Sequence, residues 1–307
     1  MLTTQFLGID FASLNLDHQN DLEPFLKRYP QRLSGYTFAV LISWNPVYHY
    51  AWNFIEQDTL LISFCESIDG QRHLLQPVGA FSLQAQQALL EALGKLDYPC
   101  SMVGVSEQFL KQNGSFCSHF FDCDDRKMAN YVYKTQDLVE LAGRRYDKKR
   151  NLIAQAEHLY TWSVHPLTEK CKPHCPRILA DIGLKGKMEI SAELSKELEA
   201  LETIMSHFLQ LRQQGCLIRI DGSPVAFSIY EELNPSTAVV HFEKAERQYK
   251  GLYQIINRET AKAIHKGGYA FINREEDLGI EGLHKAKSSY FPVEMVASHT
   301  LEFKGLG

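Results

Sequence analysis

Residues 237–292, TAVVHFEKAERQYKGLYQIINRETAKAIHKGGYAFINREEDLGIEGLHKAKSSYFP, constrain the fold most, because their apolar positions switch twice between strand and helix spacing. Thr237 to Glu243 alternates as a strand, with Ala238, Val240 and Phe242 on one face and Val239, His241 and Glu243 on the other. After the turn at Lys250 and Gly251, Leu252, Ile255, Ile256 and Ala263 form the buried stripe of a helix that Gly267 and Gly268 end. A short strand, Tyr269 to Ile272, empties into the acidic loop Asn273 to Gly279. A second helix then carries Leu283, Lys285, Lys287 and Tyr290 to the stop at Pro292. This order sets two acidic loops at the same ends of neighbouring parallel strands, where open α/β sheets bind ligands. Any one of the acidic residues reads more simply as a solvated loop tip; as a set they mark a site.

A chain of 307 residues is too long for one typical core and fits two domains of roughly 150 residues. We expect them at 1–135 and 136–307. The net charge of -5 carries no global basic excess, so a nucleic-acid surface must be local. No apolar run reaches the roughly 18 residues of a membrane helix, and the first ten residues lack a signal peptide's basic start and apolar core. A soluble, cytoplasmic protein is expected. Seven cysteines, an odd number without a regular framework, fit a reducing compartment. Cys171, His174 and Cys175 lie close in CKPHC, with His165 upstream, but the second cysteine pair of a structural zinc site is missing, and no metal is expected.

Upstream, YTFAVLISW, YHYAWNFIE and TLLISFCES read as strands of an antiparallel meander, and Ser82 caps a helix. Residues 138–160 allow one long helix, bent at Gly143. Its middle carries Arg144, Arg145, Lys148, Lys149 and Arg150, offset locally only by Asp147, and the mutual repulsion points to an anionic partner. A loop over 165–190 leads to a long amphipathic helix from Ser191 to Gln214, ended by Gly215, and then to the strands CLIRID and PVAFSIYEEL.

The order helix, three antiparallel strands, helix, strand, helix, strand resembles the acyltransferase fold of the GNAT superfamily: α+β, with a mixed sheet. GRRYDKKRN, HFEKAERQYKGLYQIIN and NREEDLGIEGLHKAKSSYFP together resemble a bacterial family named after the C-terminal domain of phosphatidylglycerol lysyltransferase. YTFAVLISW and YVYKTQDL extend the resemblance from about Tyr36 to the end. It implies tandem GNAT-like domains, the first degenerate, joined through the basic helix 138–160. It also implies an acyl or aminoacyl transferase that takes its group from aminoacyl-tRNA or acyl-CoA and passes it to a small-molecule or peptide amine or hydroxyl, with no tightly bound cofactor. The usual CoA loop is Q/R-x-x-G-x-G/A; this chain runs Arg247, Gln248, Tyr249, Lys250, Gly251, Leu252, with one glycine a place late.

Acyl transfer requires a base, donors for the developing oxyanion and an acid for the leaving group. Glu243, Glu275 and Asp277 are the candidate bases, and Tyr290 is the candidate acid. Arg247, Lys250 and the amides at Gly251 are placed to hold phosphate, with Lys285 and Lys287 across the cleft. Lys244, Tyr249, Tyr253, Gln254, Asn257, Asn273 and Arg274 complete the candidate substrate set. Arg144, Arg145, Lys148, Lys149 and Arg150 are the candidate tRNA contacts. His241 reads as a sheet-face histidine. Two other classes fit the same residues: a non-catalytic RNA or nucleotide-binding module, and an interaction protein whose basic helix docks an acidic partner.

Overall fold

The computed structural model describes residues 3–67, 70–184 and 191–305. In the first part of the chain, strands β1 (Thr3–Phe6) and β2 (Ile9–Ser13) form a hairpin, followed by helices α1 (Gln19–Arg28) and α2 (Phe38–Tyr48). Then come β3 (Ala51–Ile55), β4 (Thr59–Phe64), β5 (His73–Leu75), β6 (Val78–Gly79), α3 (Leu83–Leu93) and β7 (Ser101–Val105). Short helices α4 (Glu107–Gln112) and α5 (Gly114–Cys117) lead to β8 (Phe120–Asp124). The second part holds β9 (Asn130–Lys134), α6 (Thr135–Glu140), α7 (Asp147–Leu159), β10 (Trp162–Pro166), α8 (His174–Leu184) and α9 (Ala192–Ser206). It continues with β11 (Gln214–Ile220), β12 (Ser223–Asn234), β13 (Thr237–Ala245), α10 (Leu252–Lys266), β14 (Phe271–Asn273), α11 (Glu281–Ser288), β15 (Glu294–Val296) and β16 (His299–Phe303).

The strands form two sheets, one ordered β1-β2-β3-β4-β5-β7-β16-β8 with β6 on β4, the other β10-β11-β12-β13-β14-β9-β15. Each embeds a parallel pair among antiparallel neighbours: β5 with β7 in the first, β13 with β14 in the second. The chain divides into two compact units accordingly. The first takes residues up to Asn130, Glu276–Gly279 and everything from Val296; the second takes Tyr131–Glu275 and Ile280–Met295. A single cut near residue 135 therefore does not separate them. β16 belongs to the first sheet because it pairs with both β7 and β8, which buries Leu301 and Phe303 in that unit's core.

Four stretches differ from the sequence reading. YTFAVLISW is not a strand: most of it forms α2, capped by Thr37, whose hydroxyl accepts the Val40 N–H at 3.1 Å. Phe38 through Ser43 are all buried, and an apolar run without periodicity does not distinguish a core helix from a core strand. The basic stretch is two helices, α6 and α7, separated where Leu141 (φ 48°) and Gly143 (φ 82°) enter the left-handed region. The helix from Ser191 ends at Ser206 rather than Gln214, and Gly215 lies inside β11, where a Cβ would meet the Ser228 carbonyl at 2.1 Å. The loop expected over 165–190 instead contains β10 and α8, and its last six residues lie outside the described set. Cys171 and Cys175 are buried there, and burial pushes the Cys175 thiol far up.

The second core lies between its sheet and helices α6, α7 and α10. Leu252, Ile255 and Ile256 of α10 meet Ile153 and Ala156 of α7, Leu138 of α6, and Ile218 and Val240 of the sheet. Each such side chain contributes about 1.5–3 kcal/mol on burial. Gly251 sets how closely α7 and α10 approach: its φ is 83°, and a Cβ would lie 2.3 Å from the Leu152 carbonyl.

Candidate active site

β13 and β14 pair in parallel only from Thr237–Phe271 to Val239–Asn273; β14 then ends while β13 continues to Ala245. Beyond Val239 the polar groups of β13 are thus free of that neighbour. On the other side the register against β12 shifts: Ile229 faces Phe242, but Tyr230 faces Val240, which leaves His241 as the extra residue of a β-bulge. The bulge reverses the alternation that follows it. Glu243 shares the α10 face with Ala238 and Val240, and Ser228, opposite Glu243, is hydrogen-bonded to Thr260 of α10 at 2.6 Å.

On that face Arg274 donates from Nη2 to Glu243 Oε1 at 2.7 Å, with side-chain exposures of only 15% and 8%. Asn257 Nδ2 donates to the same carboxylate at 3.3 Å. The Arg274 guanidinium carbon lies 5.8 Å from the Tyr133 ring centroid and 5.4 Å from that of Tyr290. Burial works against the Arg274 charge, and the Glu243 carboxylate together with Tyr133 and Tyr290 more than restores it. Burial pushes the Tyr290 phenol well above its ordinary range, with Arg274 pulling the other way and Gln254 hydrogen-bonded to it. Lys149 extends from α7 to place Nζ 4.0 Å from the Tyr290 ring centroid and 2.6 Å from Ser289 Oγ. Burial, aided by the Arg274 charge, pulls its amine from 10.5 down to about 8. Two buried polar atoms of this cluster have no partner among the described residues, the donor Arg274 Nη1 and the acceptor Asn257 Oδ1. The arrangement offers a cationic donor, an acceptor, a phenol and an amine that titrates near neutrality.

The structure brings Glu243, Arg274, Asn257, Gln254 and Tyr290 together, but not the other expected bases. Glu275 Oε1 is held by His241 Nδ1 at 2.8 Å, and His241 Nε2 reaches Glu231 Oε1 at 2.8 Å. Glu231 sits opposite Val239, so this group occupies the other face of the sheet, and Glu243 and Glu275 do not share one cleft. Asp277 belongs to the first unit, where Oδ1 accepts the Gly279 N–H at 2.9 Å within a turn. Lys244 points away from Glu243 and pairs with Glu197 of α9 at 2.6 Å. Asn273 is buried and accepts the Glu275 N–H at 2.7 Å, a structural role at the strand end.

The expected phosphate turn is engaged in packing. Leu252 N–H donates to Tyr249, and the Gln254 and Ile255 amides both donate to the Gly251 carbonyl. The Lys250 N–H reaches Tyr160 Oη at 3.3 Å, the Tyr249 ring packs edge-on against Tyr160, and Tyr253 lies on the core. Arg247 and the Lys250 side chain are exposed on the turn. Lys285 is a surface partner of Glu281, and Lys287 donates to the Arg274 carbonyl at 2.6 Å.

The five cations also disperse. Arg145 pairs with Asp137 at 2.9 Å, and Arg150 binds Asp147 and the carbonyls of Leu141 and Gly143, which caps α6. Lys149 turns inward. Its place in the stripe Tyr146, Lys149, Ile153, Ala156 was legible in the sequence and signals a buried position. Tyr133 and Ser289, both missed by the sequence reading, carry no local signal beyond strand alternation and a helix end.

The family model for the C-terminal region of phosphatidylglycerol lysyltransferase matches residues 26–300. A conserved protein of unknown function from Bacteroides thetaiotaomicron VPI-5482 is 30% identical, with a TM-score of 0.87 over 96% of this chain and 99% of the other. The structure of L-PGS from Bacillus licheniformis matches at 13% identity and a TM-score of 0.66, over 96% and 94% of the two chains. A tandem GNAT protein from the clavulanic acid biosynthesis pathway matches at 9% identity and a TM-score of 0.54, over 97% and 99%. The fold is therefore the tandem GNAT-like one that the resemblance implied. No curated protein matches. Among the described residues, no helix is long and apolar enough to cross a membrane.

Proposed function

Since the chain belongs to the phosphatidylglycerol lysyltransferase C-terminal family, we propose that it transfers an aminoacyl group from an ester donor to an amine or hydroxyl acceptor, at the Glu243–Arg274 cluster. At the level of the family this is an acyl or aminoacyl transferase. The observation that carries the reading is the buried pair, with Arg274 Nη1 and the neighbouring Asn257 Oδ1 unpartnered among the described residues, flanked by Tyr290 and Lys149 where β13 and β14 part.

In this reading Arg274 Nη1 donates to the carbonyl oxygen as it becomes an oxyanion, and Glu243, itself hydrogen-bonded by Asn257, holds the guanidinium in place. The acceptor's nitrogen or oxygen bonds to the carbonyl carbon, and the ester C–O bond breaks. Lys149, as the free amine, takes the acceptor's proton at Nζ, and the Tyr290 hydroxyl supplies a proton to the departing oxygen. Proton exchange between Lys149 and Tyr290 through the site restores both groups. An ester such as aminoacyl-tRNA is favoured over acyl-CoA by the start of α10. The Leu252, Gln254 and Ile255 amides there already bond to backbone carbonyls, and the Leu152 carbonyl lies against Gly251, which argues against a pyrophosphate cradle at this turn.

Aminoacyl-tRNA and acetyl-CoA, labelled in the transferable group, are each incubated with the protein, a lysine-ended peptide and phosphatidylglycerol vesicles. The expected result is label passing from the RNA ester to an acceptor, lost in Arg274→Met and Tyr290→Phe. Consumption of acetyl-CoA with the RNA ester left intact would overturn the donor assignment. RNA binding without turnover would make the protein a binding module.

A further inference from the structure

His241, on the face of β13 away from the Glu243 cluster, is held by two carboxylates. Its side chain is 2% exposed, and each ring nitrogen lies 2.8 Å from a carboxylate oxygen, Nε2 from Glu231 and Nδ1 from Glu275. Burial alone would lower its pKa, but the hydrogen bonds and charges of Glu231 and Glu275 outweigh it and raise it to about 10. The ring is therefore a cation with both N–H groups donating.

Three chain segments meet at this ring. Glu231 is on β12, His241 is the bulge residue of β13, and Glu275 follows the end of β14. Glu275 is itself pinned: its φ is 56°, its N–H donates to Asn273 Oδ1, and its carbonyl accepts the Tyr131 N–H at 3.1 Å. The ladder between β13 and β14 covers three residue pairs and stops at Val239 and Asn273. Past that point the imidazolium spans the gap. Arg274 immediately precedes Glu275, and Glu243 lies two residues beyond His241. His241 and Glu275 are thus each within two residues of one member of the ion pair on the opposite face.

We infer that His241 is a positioning residue: by tying β12, β13 and the segment after β14 together, it sets the gap across which Glu243 and Arg274 meet. The direction in which Arg274 Nη1 is presented follows from that gap. The effect on the pair stands by itself; the effect on turnover rests on the transfer reading above.

His241→Gln keeps at most one of the two hydrogen bonds, and Glu275→Gln keeps the ring but removes one charge. Each is made in the natural chain and in Arg274→Met, and urea unfolding of the second unit is followed through Trp162, with Trp44 and Trp52 changed to phenylalanine. The expected result is a clear drop in midpoint in the natural chain and a smaller drop in Arg274→Met, because only there does the tie have no pair to position. Equal drops in both backgrounds overturn the inference. If His241→Gln does not fold, Glu275→Gln decides, since its side chain is 22% exposed. Where turnover is measurable, His241→Gln lowers kcat by about tenfold or more, the scale of a misplaced catalytic group, with KM nearly unchanged. An unchanged kcat in His241→Gln also overturns the inference. Absence of turnover in every chain removes the transfer reading and leaves the unfolding comparison to judge the tie.

Discussion

Removing one member of the Glu243–Arg274 pair should destabilise the second unit far more than removing both. The two side chains are 8% and 15% exposed, so each carries a charge that water does not screen well. Arg274→Met strands the Glu243 carboxylate with Asn257 as its remaining donor. The expected cost is about 3–5 kcal/mol, the range for a buried charge that loses its partner. Glu243→Met leaves the guanidinium between Tyr133 and Tyr290, whose ring faces each return about 0.5–2 kcal/mol, so its cost should fall somewhat below that of Arg274→Met. The double variant Glu243→Met with Arg274→Met removes both charges and should lie within about 1–2 kcal/mol of the natural chain. Its coupling energy is then several kcal/mol, well above the few tenths expected for independent sites. A chain of two units need not unfold in one step, so a probe confined to the second unit is needed. Trp162, packed on that core, serves once Trp44 and Trp52 are replaced by phenylalanine. Single losses below about 1 kcal/mol, or a double loss equal to their sum, would mean the pair behaves as a solvated surface bridge and not as a buried site.

Gly251→Ala should cost roughly 2–4 kcal/mol, from left-handed strain of about 1–2 kcal/mol plus the clash with the Leu152 carbonyl, read again from Trp162; a loss under 1 kcal/mol would return the glycine to a ligand role. His241 should show two ring N–H protons by NMR at pH 8, because its folded pKa of about 10 lies above the ordinary 6.5. Its contribution to stability is complete below pH 6.5 and disappears as pH rises through 10, and a single ring proton at pH 8 would contradict the tie. Lys149 has the opposite sign: its folded pKa of about 8 lies below 10.5, so the unfolded chain binds more protons between those values and stability gains from this group as pH rises across them. Lys149→Met should abolish that gain, and an unchanged pH profile would refute the burial of its amine. If RNA binds the basic stretch 144–150, Arg144→Ala with Lys148→Ala should flatten the log-log salt slope by about 1.4–1.8, the worth of two contacts, since both are exposed and Arg145 and Arg150 already have intrachain partners.

The stretch from Thr237 to Pro292 was legible in the sequence because its order is local. Alternation in Thr237–Ala245, the stripe Leu252, Ile255, Ile256 and the glycines after Lys266 follow from backbone geometry, which neighbouring residues encode. The same local logic identified Glu243, Arg274 and Tyr290 as polar groups near strand and helix ends, and Asn257 as a polar group of the helix between them. What it did not contain was which of them meet. The bulge at His241 depends on a register with β12, and it moves Glu243 to the face opposite the one that strict alternation assigns. Lys149 carried the same charge as its neighbours and was grouped with them, yet α7 turns it onto Tyr290, a residue 141 positions away, while Arg145 and Arg150 close local ion pairs. The glycine read as a phosphate turn is instead required by a carbonyl of another helix. β16 lies in the first unit's sheet because β7 and β8 offer it two antiparallel partners and a core for Leu301. Secondary structure is written in short-range periodicity. Register, close approach and the pairing of charges are decided by residues far apart in the chain, whose contacts exist only once the sheet and helices have packed.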